Sequence, residues 1–155
     1  MEIRRFVLED AKQIVNILHR NYLEVNSKNY PAQLMDNLAK KHDEKYVRKI
    51  AKYSHTYVVV EDDKIIATGG VGNYQEDKDV ALLINIFVLP EYQRQGYGTL
   101  IMQTLMEDEI YKNAKLIRVN SSITALEFYK KFGFHFKDNL YRINKELLYE
   151  LEKEN

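Results

Sequence analysis

The stretch Ile84-Asn85-Ile86-Phe87-Val88-Leu89-Pro90-Glu91-Tyr92-Gln93-Arg94-Gln95-Gly96-Tyr97-Gly98-Thr99 joins an apolar run, a proline corner, a glycine-containing loop and a helix start. Such a loop turns several backbone N–H groups toward one point. They are the unpaired donors of the helix terminus, where the helix dipole adds positive potential. Gly96 and Gly98 omit side chains where an anion would approach the backbone. The chemistry this suits is a cradle for a pyrophosphate. A dinucleotide fingerprint would need a third glycine where Ile101 stands, and a Walker loop would need Gly-Lys-Ser/Thr. The residues therefore point to a phosphorylated ligand that fits neither common nucleotide fingerprint. The plainer alternative is a strand-to-helix connection with two turn glycines.

A second group lies downstream. Ala125, Phe128, Tyr129 and Phe132 share one helical face, with Ser122 ahead as a cap and Gly133 behind. By spacing alone this is a core stripe. The two segments together are more specific. Gln93-Arg94-Gln95-Gly96-Tyr97-Gly98 resembles the Gln/Arg-x-x-Gly-x-Gly/Ala signature of the GNAT superfamily of N-acetyltransferases. Ser122-x-x-Ala125-x-x-Phe128-Tyr129-x-x-Phe132-Gly133-Phe134 resembles that family's late helix, usually written Asn-x-x-Ala-x-x-Leu/Phe-Tyr-x-x-x-Gly-Phe. The resemblance is specific from about residue 80 to 136 and holds in outline before that.

It implies a single mixed α/β (α+β) domain over residues 1–155. A mostly antiparallel central sheet is flanked by helices, and its central strands, Val80–Val88 and Lys115–Val119, splay apart. The implied co-substrate is acetyl-CoA. Its pyrophosphate would rest on the loop of Gln93, Arg94, Gln95, Gly96, Tyr97, Gly98 and Thr99. Its pantetheine arm would lie along Ile86, Phe87 and Val88 and near Ser122. The implied reaction is direct acetyl transfer to a primary amine, with an oxyanion donor among the backbone N–H groups near Val88. Tyr129 would protonate the leaving thiolate. The reference values of phenol and thiol, about 10 and about 8.5, are close enough for that exchange. Polyamine, aminoglycoside, amino acid and protein amine all remain open as acceptors.

Two departures stand out. Ser122 replaces the usual Asn. Ala81 to Ile86 holds no carboxylate where several members carry Glu, and Asn85 cannot act as a base, so the base is unassigned. A catalytically silent acyl-CoA sensor or partner-binding domain on the same fold is the alternative.

The elements that must position these groups follow from periodicity. Ile3–Val7 reads as a strand. A helix opens at Glu9-Asp10, with Ile14, Ile17 and Leu18 on one face. One or two helices fall in 32–51. Tyr57–Glu61 and Lys64–Val71 form a hairpin about Asp62-Asp63. Asn73–Asp79 reads as a polar loop, and Val80–Leu89 as a buried central strand. Thr99–Ile110 is helical, Lys115–Val119 a strand, and Phe134–Phe136 and Leu140–Ile143 two last strands. The charged tail from Lys145 reads as helix.

Composition narrows the classes. The 155 residues include no Cys, which excludes disulfide frameworks and thiol nucleophiles. Lys plus Arg and Asp plus Glu both total 23, a balance that argues against a nucleic-acid binder. No apolar run reaches membrane-spanning length, and the start is not a signal peptide, so a cytoplasmic protein is expected, monomer or homodimer. No metal is expected, since the His and carboxylates lack ligand spacing. His55 stands alone in the sequence with no dyad partner near it, and His135 reads as a strand residue. Lys40, Lys41, Lys45, Arg48, Lys49 and Lys52 read as a solvated helix face. Asn120-Ser121-Ser122 matches a glycosylation sequon without a secretion signal to support it. Tyr22, Tyr30, Tyr46, Tyr53 and Tyr74 belong to no motif, and some are expected to line an acceptor pocket.

Overall fold

The computed structural model describes all 155 residues. Seven strands form one sheet in the order β1-β2-β3-β4-β5-β7-β6. They are β1 (Glu2–Arg5), β2 (His55–Glu61), β3 (Lys64–Tyr74), β4 (Asp77–Val88), β5 (Leu116–Ser121), β6 (His135–Phe136) and β7 (Tyr149–Glu154). The helices are α1 (Ala11–Arg20), α2 (Ala32–Lys41), α3 (Glu44–Tyr53), α4 (Tyr97–Met106), α5 (Glu109–Asn113) and α6 (Leu126–Lys131). β3 is buried at every position from Ile65 to Gly72, which requires cover on both faces of the sheet. Helix α1, packed on α3, contacts β3, and so do α4 and α5. No helix is long and apolar enough to cross a membrane.

All pairings are antiparallel except one. β4 and β5 run parallel, and their register covers only Val80↔Leu116 to Leu83↔Val119. Beyond Leu83, β4 continues to Val88 beside β3 alone, while β5 continues to Ser121 beside β7. The central strands thus part, as expected. On the β3 side the register jumps from Gly70↔Ile84 to Thr68↔Phe87, so β4 carries one extra residue there. Asn85 sits in this bulge at φ 51°, a conformation that Asn tolerates better than most residues.

Several elements differ from expectation. The charged tail is strand β7, inserted between β5 and β6. Within its charged run, Tyr149 and Leu151 alternate inward, and pairing on both sides overrides helix propensity. Leu140–Ile143 forms no strand; Ile143 makes one isolated bridge to Tyr149. Most of Asn73–Asp79 is strand around a tight turn, Gln75-Glu76, both at positive φ. Its polar residues extend past the core, where burial cannot mark them. The helix expected over Thr99–Ile110 breaks after Met106, because Asp108 caps α5 by accepting from the Ile110 amide.

Two buried carboxylates tie helices to strands. Asp10 accepts from both Arg4 guanidinium nitrogens at 2.8 and 3.0 Å and from the Val7 amide at 2.9 Å. Asp108 accepts from Tyr57 at 2.7 Å, His55 at 2.8 Å and Ile110 N at 2.8 Å. His55 therefore has a carboxylate partner after all, one 53 residues away in sequence, but the pair sits against the α4–α5 turn. Burial pushes both carboxyls upward and is outweighed by their hydrogen bonds, which leave each below its ordinary value of 3.8. A depressed carboxyl adds stability that is complete above its unfolded value and lost as pH falls through the folded one. Asp108→Asn is expected to cost about 1–3 kcal/mol at pH 7. The gap to the parent should narrow in thermal melts below pH 4, where the parent's own carboxylate takes up its proton.

Candidate functional site

The site is built where β4 and β5 separate. Helix α1 runs on into a single π-helical turn, Asn21–Val25, which brings Asn21 and Tyr22 inward together. Wide turns of this kind re-aim side chains. The Asn21 amide nitrogen donates to Val88 O and Ile17 O, both at 2.9 Å. Gln93 Nε2 donates to Asn21 Oδ1 at 2.9 Å and to Val88 O at 3.1 Å. The Gln93 side chain is thus a brace behind the loop, and the Val88 carbonyl already accepts twice. In front, Arg20 holds Glu91 at 2.9 Å, and Tyr97 packs edge-on against Tyr92.

The braced loop leaves its donors free. Tyr92 N and Gln93 N bond to Leu89 O and Pro90 O, and Leu100 N bonds to Gly96 O. Between them, the amides of Arg94, Gln95, Gly96, Tyr97, Gly98 and Thr99 find no acceptor within the protein. Gly96 stands at φ 91°, and a Cβ built there meets nothing within 4 Å. That open space before a row of free N–H groups fits a phosphate-bearing group. Gly98 has a different surrounding: a Cβ there would lie 3.2 Å from the Phe128 ring. It lets the start of α4 close onto α6, next to Tyr129.

A cavity of about 550 Å³ opens in the splay. It brings together Ile86, Phe87, Ser122 and Tyr129 of the expected site. Val88 and the Gln93–Thr99 loop do not border it. Tyr129 is 5% exposed, and its ring packs edge-on against Phe128 and Phe134. Burial is what raises its phenol, with no hydrogen bond opposing it, so the hydroxyl keeps its proton. Ser122 Oγ accepts from Ala125 N at 3.1 Å and so caps the turn ahead of α6.

The other wall comes from the early helices. Of the five tyrosines outside any motif, Tyr22, Tyr30 and Tyr46 line the cavity. Tyr53 is 73% exposed elsewhere, and Tyr74 lies under Arg118. Tyr30 OH donates to Leu147 O at 2.8 Å and accepts from Ile123 N at 3.0 Å, which fastens three loops together. His42 is a lining residue that sequence reading missed, and an isolated His carries no signal that could have found it. Its ring stacks on Tyr46 at 3.9 Å and 11°. Tyr22 OH lies 2.7 Å from its Nδ1. Burial first, then His19 and Lys41, push His42 down to about 4, so it is neutral at pH 7. Asn85, in the bulge, bonds to Tyr46 OH at 3.1 Å. No three His, Cys, Asp or Glu residues group as metal ligands.

Comparison with known proteins agrees with this geometry. The family model described as the acetyltransferase (GNAT) domain matches residues 52–136. An uncharacterized N-acetyltransferase of Escherichia coli K12, YafP, is 25% identical over 134 residues, covering 86% of this chain and 81% of its own. The PaiA N-acetyltransferase of Thermoplasma acidophilum, solved in complex with coenzyme A, superposes with a TM-score of 0.82 at 16% identity, covering 99% of this chain and 98% of the other. A GNAT-family acetyltransferase of Streptococcus pneumoniae superposes at 0.68 with 20% identity, over 99% and 98% of the two chains.

The two glycines make separable predictions. Gly98→Val should overpack against Phe128 and lower stability by about 1–3 kcal/mol. Gly96→Ala should cost only the strain of its positive φ, about 1–2 kcal/mol. Urea melts check both losses, and Phe128→Ala should relieve the Gly98→Val loss and leave the Gly96→Ala loss unchanged.

Proposed function

The chain belongs to the GNAT acetyltransferase family and is an acetyl-CoA-dependent N-acetyltransferase, and on that premise we propose that it acetylates a primary amine by direct attack, with Tyr129 as the acid. Acetyl-CoA supplies the activated thioester. The observation that carries the reading is the pairing of free loop amides at Arg94–Thr99 with a buried, protonated phenol across the Gly98–Phe128 contact.

Each part has a physical role. The loop amides and the α4 dipole hold the pyrophosphate. The side of β4 past Leu83 that β5 leaves unpaired gives an extended amide arm a strand edge to run along, by Ile86 and Phe87. The amine nitrogen forms its bond to the acetyl carbon as the C–S bond breaks. One proton leaves the nitrogen and one reaches the sulfur. Tyr129 holds the second proton at its hydroxyl. Burial raises this phenol, so it stays protonated until a thiolate forms beside it.

Tyr129→Phe keeps the ring and removes the acid. Turnover should fall by about 10²–10⁴, while acetyl-CoA affinity by calorimetry should stay near the parent's. Equal turnover would take Tyr129 out of the mechanism and favour the silent-sensor alternative. Coenzyme A at a hundredfold excess over its Kd should add about 2.7 kcal/mol of stability. For a domain of this size that is a melting shift of several degrees, and Gly96→Val should abolish it. A Gly96→Val protein that binds like the parent would place the pyrophosphate elsewhere.

A further inference from the structure

Resting on that reading of the cavity, we infer that the acceptor is a small monoamine with a flat, apolar body, and not a polyamine, an aminoglycoside or another polycation. The first observation is a charge census. Lys41, Lys145 and Glu146 are the only fully charged side chains lining the cavity, so its wall holds a single carboxylate against two ammonium groups. His42 adds no charge, since it is neutral. Each additional ammonium of a polycation would leave water for a wall with nothing left to pair it.

The second observation is the shape of the wall. His42 stacks flat on Tyr46, and Tyr22 meets Phe87 edge-on at 5.6 Å and 86°. Tyr22 OH is bonded to His42 Nδ1 at 2.7 Å. Tyr46 OH is bonded to Asn85. These hydroxyls are already bonded within the wall, and Tyr22 is itself only 2% exposed, so the ring surface left for an acceptor is that of the half-buried His42, Tyr46 and Phe87. Ring surface suits a flat apolar body through stacking and dispersion.

The same wall bears on the unassigned base. No carboxylate occurs from Ala81 to Ile86. An ammonium entering an apolar cavity with little opposing charge is destabilised relative to the free amine, so it gives up its proton more easily. A monoamine can enter as the free base that the reaction needs. A polyamine needs only its reacting nitrogen as the free base, but its other ammonium groups would still have to be taken out of water against the same wall.

The test uses the full chain, acetyl-CoA and thiol release. 2-Phenylethylamine is the monoamine probe, against spermidine, kanamycin, L-lysine and a lysine-containing peptide. The expected result is a kcat/KM for 2-phenylethylamine at least a hundredfold above that for spermidine. Equal or reversed preference, or a preference for kanamycin, lysine or the peptide, would overturn the inference. So would no turnover of any amine by a protein that coenzyme A still stabilises. Failure of coenzyme A to stabilise it would overturn the acetyl-transfer reading as well, which separates the two. Asn37→Asp puts a second carboxylate on the wall at an exposed position that bonds only Gln33. It should raise the spermidine to 2-phenylethylamine ratio about tenfold, by Coulomb attraction at a partly screened distance. An unchanged ratio would count against a charge-selective wall.

Discussion

The parallel pairing of β4 with β5 stops at Leu83↔Val119, and the rest of the site depends on that stop. Had the ladder continued, the strands would have filled the sheet and left no cavity between them. The bulge at Asn85 turns β4 away, and β7 draws β5 the other way. Between them lies a wedge whose floor is backbone and whose sides are α6 and the early helices. Tyr129 reaches it from one side, and Tyr22 and Tyr46 from the other. Opening a sheet at its centre costs hydrogen bonds, and unpaired backbone groups persist only where a ligand or solvent can take them up.

The loop beside the wedge shows how donors can be left free and still be held in place. Its free amides belong to the backbone, while side chains pin it from outside that row. Gln93 and Asn21 converge on the Val88 carbonyl, and Arg20 and Lys64 converge on Glu91. Fixed donors of this kind need little reorganisation when an anion arrives. The contact between Gly98 and Phe128 then sets the distance from this loop to the adjacent Tyr129, so one packing contact fixes the free amides relative to the buried phenol.

The strand-loop-helix string and the late helix were legible because each concentrates its information locally. Gly96, Gly98 and the Phe128–Tyr129 pair sit within short spans whose geometry the chain itself dictates. The hairpin at Asp62-Asp63 and the face of α1 were legible for the same reason. What could not be read depends on long-range partners. Asp108 receives His55 and Tyr57 from more than 50 residues away, and nothing local marks it. His42 becomes a wall residue only when Tyr46 of α3, on which it stacks, reaches Asn85 in the β4 bulge. Strand β7 looked helical because its charges suit a helix, and only its neighbours on either side make it a strand.

The position of β7 also orders events in time. Strand β6 pairs with β7 alone, and beyond the reach of β4 the only partner of β5 is β7. Both β5 and β6 leave the ribosome before the strand that joins them. Until β7 arrives, β5 presents an open edge at Asn120 and Ser121, and the late helix has no completed sheet beneath it. The second side of β5 is therefore covered only after residues 149–154 have been made, and until then that edge must be kept from other strands.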